Sequence, residues 1–100
     1  MEQYSIKIFP TAQSDLQDIV AYLNTLSPDV AMRYYDLIVE KVGTLKTLPE
    51  RCPSVKDTQL RLRNYRMLLI ENYIVFYVVN GKMVEIRRIL YARRQYEGLL

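Results

Sequence analysis

Histidine is absent from this sequence, cysteine occurs once and glycine three times. Without histidine, the common zinc ligand sets and a histidine-activated serine or cysteine nucleophile are excluded. The lone Cys52 cannot close an internal disulfide, so a reducing, cytoplasmic compartment is expected. Flanked by Arg51 and Pro53 and lacking a histidine partner, its thiol reads as an inert small hydrophobe rather than a nucleophile. No apolar run approaches the ~18–20 residues of a membrane span. The opening MEQYSIKIFP has an acidic second residue and no apolar core, so it does not read as an export signal. Repeats, linkers and low-complexity segments are missing as well. Charge of one sign is not in large excess: 14 basic against 11 acidic side chains give a formal +3. That balance suits nucleic acid or an acidic protein partner without demanding either.

What is present is ordinary globular material: 100 residues, half apolar and a quarter charged. One domain with a modest core is expected. The densest apolar signal lies in residues 60–94, LRLRNYRMLLIENYIVFYVVNGKMVEIRRILYARR. It reads as three consecutive antiparallel strands, over 60–70, 73–79 and 83–90. Glu71-Asn72 makes the first turn and Asn80-Gly81 the second. Asn-Gly between apolar runs is a strong hairpin signal, because a type I′ turn needs positive φ at both central residues. The run Ile74-Val-Phe-Tyr-Val-Val79 is too apolar for a strand with one wet face, so it belongs at the centre of the sheet. Strand alternation then sets Leu60 and Leu62 against Arg61 and Arg63, and Val84 and Ile86 against Glu85 and Arg87. Arg88 breaks that alternation, which predicts a bulge or a partly buried, paired arginine.

Ahead of this region, residues 4–9 alternate apolar with polar side chains and read as a short strand ended by Pro10. Thr11 is the expected cap of a first helix with Leu16, Ile19, Val20, Leu23 and Leu26 on its apolar face. Asp15 and Asp18 read as a helix-start preference on the wet side. Ser27-Pro28 breaks and restarts the chain, as N-cap and first residue of a second helix. Its buried stripe is Ala31, Tyr34, Ile38, Val42 and Leu45, and Pro49 stops it. The segment LPERCPSVKDT reads as an ordered loop. The order is β-α-α-β-β-β with a short C-terminal helical tail. An α+β domain is expected, with a helical hairpin on one face of a four-stranded, mainly antiparallel sheet. The other face is expected to stay open, at least in part.

Arginines and tyrosines on a stiff sheet can hold a phosphodiester, stack a base and stabilise a pentavalent phosphate without a metal or any other cofactor. Arginine stays protonated, so a proton acceptor would have to be a lysine, a tyrosine or a carboxylate such as Glu85. Equally, each arginine can be a solvated strand residue or the cross-strand partner of Glu71, Glu85 or Glu97.

Several of these features together resemble the RelE/ParE superfamily, the small toxins of bacterial type II toxin–antitoxin pairs. They are the β-α-α-β-β-β order, Tyr4-Ser-Ile-Lys-Ile-Phe-Pro with Asp15-Leu16 behind it, Arg51-Cys-Pro, Tyr65-Arg66, Asn72-Tyr-Ile-Val-Phe-Tyr, and Val84-Glu-Ile-Arg-Arg-Ile-Leu-Tyr-Ala-Arg-Arg-Gln-Tyr. The resemblance spans essentially the whole chain. It implies a toxin that cleaves ribosome-bound mRNA by 2′-OH attack on the adjacent phosphate. In that role Arg63, Arg66 and Arg94 clamp phosphate, Lys56 is the general base, and Tyr96 or Tyr91 stacks the base or shares the proton. Arg61, Arg87, Tyr91 and Arg93 contact RNA. Ribosome, mRNA and a cognate antitoxin are the implied partners, with no metal, cofactor or membrane. The same resemblance implies an alternative: a ParE-like inhibitor that poisons DNA gyrase and is no nuclease. A degenerate member that only binds its antitoxin is the third possibility.

Overall fold

The computed structural model describes residues 3–93 together with Leu99 and Leu100. Its elements run β1 (Ser5–Ile8), α1 (Pro10–Leu26), α2 (Pro28–Gly43), α3 (Thr58–Leu62), β2 (Arg66–Ile70), β3 (Tyr73–Asn80) and β4 (Met83–Tyr91), with two short 3₁₀ turns between α2 and α3. The sheet has the order β1-β4-β3-β2. β1 pairs parallel with β4, while β2–β3 and β3–β4 are antiparallel. The expected α+β fold, helical hairpin on a mainly antiparallel four-stranded sheet, is therefore the one observed. The proposed tail helix falls largely on residues 94–98, outside the described residues.

The helical hairpin forms where the sequence reading placed it. Ser27 caps α2, its hydroxyl oxygen accepting from the Val30 N–H at 3.4 Å, and Pro28 opens the helix. Ile38, Val42 and Leu45 are buried against Ala12 of α1 and against Val75, Tyr77, Val84, Ile86 and Ile89 of the sheet, and Ala31 of the same stripe is buried as well. Three details differ. Pro10 begins α1 rather than merely ending β1, and Phe9 is the N-cap, so Thr11 lies inside the helix. Proline at a first helical position loses no hydrogen bond and arrives with helical φ, which favours this earlier start. Leu26, placed on the apolar face, is 66% exposed at the hairpin tip. The regular α2 ends at Gly43, before Pro49, and Arg51 binds the chain end that follows. Its guanidinium donates to the carbonyls of Thr44, Thr47 and Leu48 and to the Thr44 hydroxyl.

The largest correction concerns residues 60–65. They do not begin a strand: Thr58–Leu62 is a helical turn, and β2 starts at Arg66. The Asp57 carboxylate accepts the Leu60 N–H at 3.0 Å and caps the turn, and Asn64 takes a left-handed φ of 65° that ends it. Four alternating residues, Leu-Arg-Leu-Arg, fit one helical turn as well as a strand, so the cap decides. The second turn of the sheet also shifts by one residue. Asn80 pairs with Met83, and Gly81, at φ 61°, and Lys82 form the turn. At the first turn Glu71 adopts φ 53°, and Ile70 pairs with Tyr73 as expected.

Nor is the second face of the sheet open throughout. Val55, Leu60 and Tyr65 pack on Ile74, Phe76 and Leu90, joined by Met67, Val78, Leu99 and Leu100. Phe76 and Tyr77 are consequently both fully buried, on opposite faces of β3. That is why the central strand could be apolar throughout. Residues 53–55 also run along the outer edge of β2, with Met67 N–H donating to Pro53 O and Val55 N–H to Tyr65 O. Part of an edge that would otherwise invite pairing is covered.

Candidate functional site

Two places on this scaffold concentrate polar and aromatic groups. The first is on the second face, over β1 and β4. Register puts Lys7 beside Glu85, and β4 carries one extra residue, because Phe76 pairs with Arg88 while Tyr77 pairs with Ile86. The extra residue is Arg87, and the bulge lifts it onto the face. Its guanidinium lies 4.6 Å from the Phe9 ring centroid and 5.9 Å from that of Tyr65. Arg63 approaches the Tyr65 ring at 5.3 Å, and the Lys7 ammonium approaches Phe9 at 5.5 Å. The result is a ladder of alternating cations and rings, Lys7–Phe9–Arg87–Tyr65–Arg63. Each rung is worth about 0.5–1 kcal/mol where exposed.

Much of this charge is already satisfied. Arg87 donates twice to one Glu85 oxygen, at 3.1 and 2.8 Å. The Arg87 hydrogen bonds hold the Glu85 carboxyl below the usual glutamate range, against an opposing desolvation effect, with help from Asn80. Arg63 donates to the Leu100 carbonyl at 3.2 Å. Arg66, a proposed phosphate clamp, instead donates to the carbonyls of Cys52 at 2.7 Å and Glu50 at 3.1 Å, and so braces the loop beneath Tyr77. It also stands 3.8 Å from the exposed Glu50 carboxylate. Arg61 is exposed on α3, not on a strand; Lys56 is exposed in the loop ahead of α3, and Arg93 is exposed just past the end of β4. Tyr91 is in neither group: it sits on the helix side of the sheet. Arg94 and Tyr96 lie outside the described residues.

The paired arginine foreseen at Arg88 is realised, and its partner corrects the reading of Asp15. Asp15 does not face water. It takes the Nε and Nη2 of Arg88 at 2.7 and 2.8 Å and the backbone N–H of Ile89 at 3.0 Å, with both side chains largely buried. β1 runs beside β4 only as far as Ile86. Beyond it α1 crosses the bare edge of β4, and Asp15 supplies the acceptor that a neighbouring strand would have offered. Hydrogen bonding to Asp15 raises the Arg88 pKa above its ordinary value, against desolvation. This is an architectural ion pair, and it removes Arg88 from any clamp.

The second place is a groove of about 730 Å³ between the α1–α2 hairpin and the end of β4. Ile19, Leu23, Val30 and Ile89 give it an apolar lining, and Tyr22, Tyr34, Tyr73 and Tyr91 give it aromatic walls. Tyr34 and Tyr91 each meet Tyr73 edge to face, at 5.7 and 5.8 Å. The Tyr34 phenol is raised chiefly by its hydrogen bond to Glu71, and that of Tyr73 chiefly by burial. Neither Lys7 and Phe9 on the ladder nor the groove was found from sequence. The parallel β1–β4 pairing and the bare end of β4 place them, and neither leaves a local motif.

The fold has been seen before. It superposes on a structure described as the chromosomal ParDE toxin–antitoxin system of P. aeruginosa, with a TM-score of 0.79 and 24% identity over 91% of this chain and 98% of the other. It also superposes on the RelBE2 toxin–antitoxin complex of Mycobacterium tuberculosis, with a TM-score of 0.66 and 20% identity over 91% and 93%. No curated protein sequence matches the chain. Residues 6–96 match the family model described as the ParE toxin of the type II toxin–antitoxin system parDE. The chain belongs to the ParE toxin family, the toxin component of type II toxin–antitoxin systems.

Proposed function

We propose that this toxin works as ParE-like proteins do, binding DNA gyrase and holding it on cleaved DNA without cutting RNA itself. The family match supports this reading. The observation that carries it is the state of the arginines. Arg66 is bound to two backbone carbonyls and Arg87 to a carboxylate. A guanidinium committed to internal acceptors cannot also follow the charge that builds on a pentavalent phosphate. Lys56, the proposed general base, stands exposed on the segment ahead of α3, and no hydrogen bond or ion pair among the described residues seats it beside the arginines it would have to serve. The ladder on the second face is instead a rigid, partly neutralised binding surface, suited to recognising a macromolecule. A cognate antitoxin, as in the ParDE and RelBE complexes of the same fold, is the partner that would hold the toxin silent. Its acidic, partly disordered segment would fold as it binds.

The test is purified gyrase with supercoiled DNA and ATP. Added toxin is expected to accumulate protein-linked linear DNA in a dose-dependent way, and excess antitoxin to abolish it. Programmed ribosomes given the same toxin should keep their mRNA intact. Codon-spaced mRNA cuts that disappear in Arg63→Ala would refute the proposal in favour of mRNA cleavage. Growth arrest with neither effect would refute it in favour of another target.

A further inference from the structure

The aromatic groove takes no part in the reading just given. Its four tyrosines present ring surface at different depths: Tyr73 is buried, while Tyr91 is 45% and Tyr22 63% exposed. The protein already seats one cation on this array, since the Arg33 guanidinium lies 5.0 Å from the centroid of the Tyr34 ring. Asp18 lines the groove as an exposed carboxylate, and Glu71 is held next to it by the Tyr34 phenol. Asp15 also lines it, but its oxygens are spent on Arg88 and Ile89. Among the described residues at the groove, two carboxylates, Asp18 and Glu71, thus stand against one guanidinium, that of Arg33, in a chain whose formal charge is +3. An anionic occupant would meet repulsion here. An apolar one would leave Asp18 unused.

From this we infer that the groove receives an arginine side chain presented by a partner protein. The methylene stem would lie along Ile19, Leu23 and Val30, and the planar head would stack on the tyrosine faces and meet Asp18 at the rim. Arginine suits such a place better than lysine, because its flat, weakly hydrated head both stacks and forks onto a carboxylate. The inference concerns the chemistry of the occupant and is independent of whether gyrase is the target.

The experiment titrates the full-length toxin with N-acetyl-L-argininamide, followed by proton–nitrogen NMR. The neutral, nearly isosteric citrulline analogue and N-acetyl-L-leucinamide are run in parallel. Saturable shifts confined to Asp18, Tyr22, Tyr34, Tyr73, Tyr91 and their neighbours are expected, with a roughly millimolar Kd for an isolated side chain. The citrulline analogue should bind several-fold more weakly. Asp18→Asn, a surface change that leaves the fold intact, should weaken the arginine compound about threefold while leaving the citrulline analogue unaffected. Equal binding of the two analogues would overturn the inference, as would tighter binding of the leucine compound, which would mark a purely apolar groove. Shifts elsewhere on the surface, or none up to about 50 mM, would overturn it too.

Discussion

Removing the Asp15 carboxylate should destabilise this protein more than any other single change to a charged residue. Asp15→Ala takes two charge-assisted hydrogen bonds from Arg88 and the acceptor from the Ile89 N–H. The side chains of Arg88 and Asp15 are only 16% and 11% exposed, so little water can replace what is lost. Breaking one partner of a buried pair costs about 3–5 kcal/mol. Arg88 keeps the Leu99 carbonyl at 3.0 Å as an acceptor and retains some exposure. Those two facts reduce the expected loss to about 2–3 kcal/mol. With a urea slope of about 1–1.5 kcal/mol/M for a domain of this size, the unfolding midpoint should fall by about 2 M. Asp15→Asn combined with Arg88→Met should recover at least half of the loss, because no unpaired charge then remains. Urea titrations followed by circular dichroism read both effects. A midpoint change below about 0.3 M in Asp15→Ala, or a double variant as weak as the sum of the singles, would show that the pair is a surface contact only.

Two further changes test the packing. Phe76→Ala should cost about 3–5 kcal/mol, as for an aromatic deleted from a core, and a loss under about 1 kcal/mol would mean the second face is wet. In alkaline titration by ultraviolet absorbance, Tyr34, Tyr73 and Tyr77 should ionise above the ordinary 10.0, because burial or a hydrogen bond raises them. Their protonated forms therefore stabilise the fold fully below that value, and the contribution is lost as pH climbs through the raised ones. Tyr77→Phe should remove the latest-ionising group, since it is buried most deeply and donates to the Pro49 carbonyl. A titration of all tyrosines together near pH 10 would contradict the burial assigned to them.

The fold was legible where a local rule and the tertiary environment agreed. Ser27-Pro28 capped a helix because nothing competed, and residues 74–79 were apolar throughout because the central strand is covered on both sides. Leu60–Arg63 was misread because its pattern fits two periods, and the deciding residue, Asp57, lies before the pattern begins. Asp15 was misread for another reason. A carboxylate in the second turn of a helix ordinarily faces water, and only the early end of β1 leaves a strand edge for it to cap. The candidate site was less legible still. Sequence showed which residues carry charge but not which acceptors they meet. Arg66 was indistinguishable from Arg61 until the carbonyls of Glu50 and Cys52 were placed beside it, and Arg88, marked as a paired arginine by its break in the alternation, had no named partner until the Asp15 carboxylate was.

The most direct measurement of the central claim follows expressing cells through the first minutes after induction, recording chromosome breaks and protein synthesis together. A toxin whose guanidiniums brace its own structure, and which acts on gyrase, should produce double-strand breaks and an SOS response while translation still runs. Translation that stops first, with the chromosome intact, would contradict it.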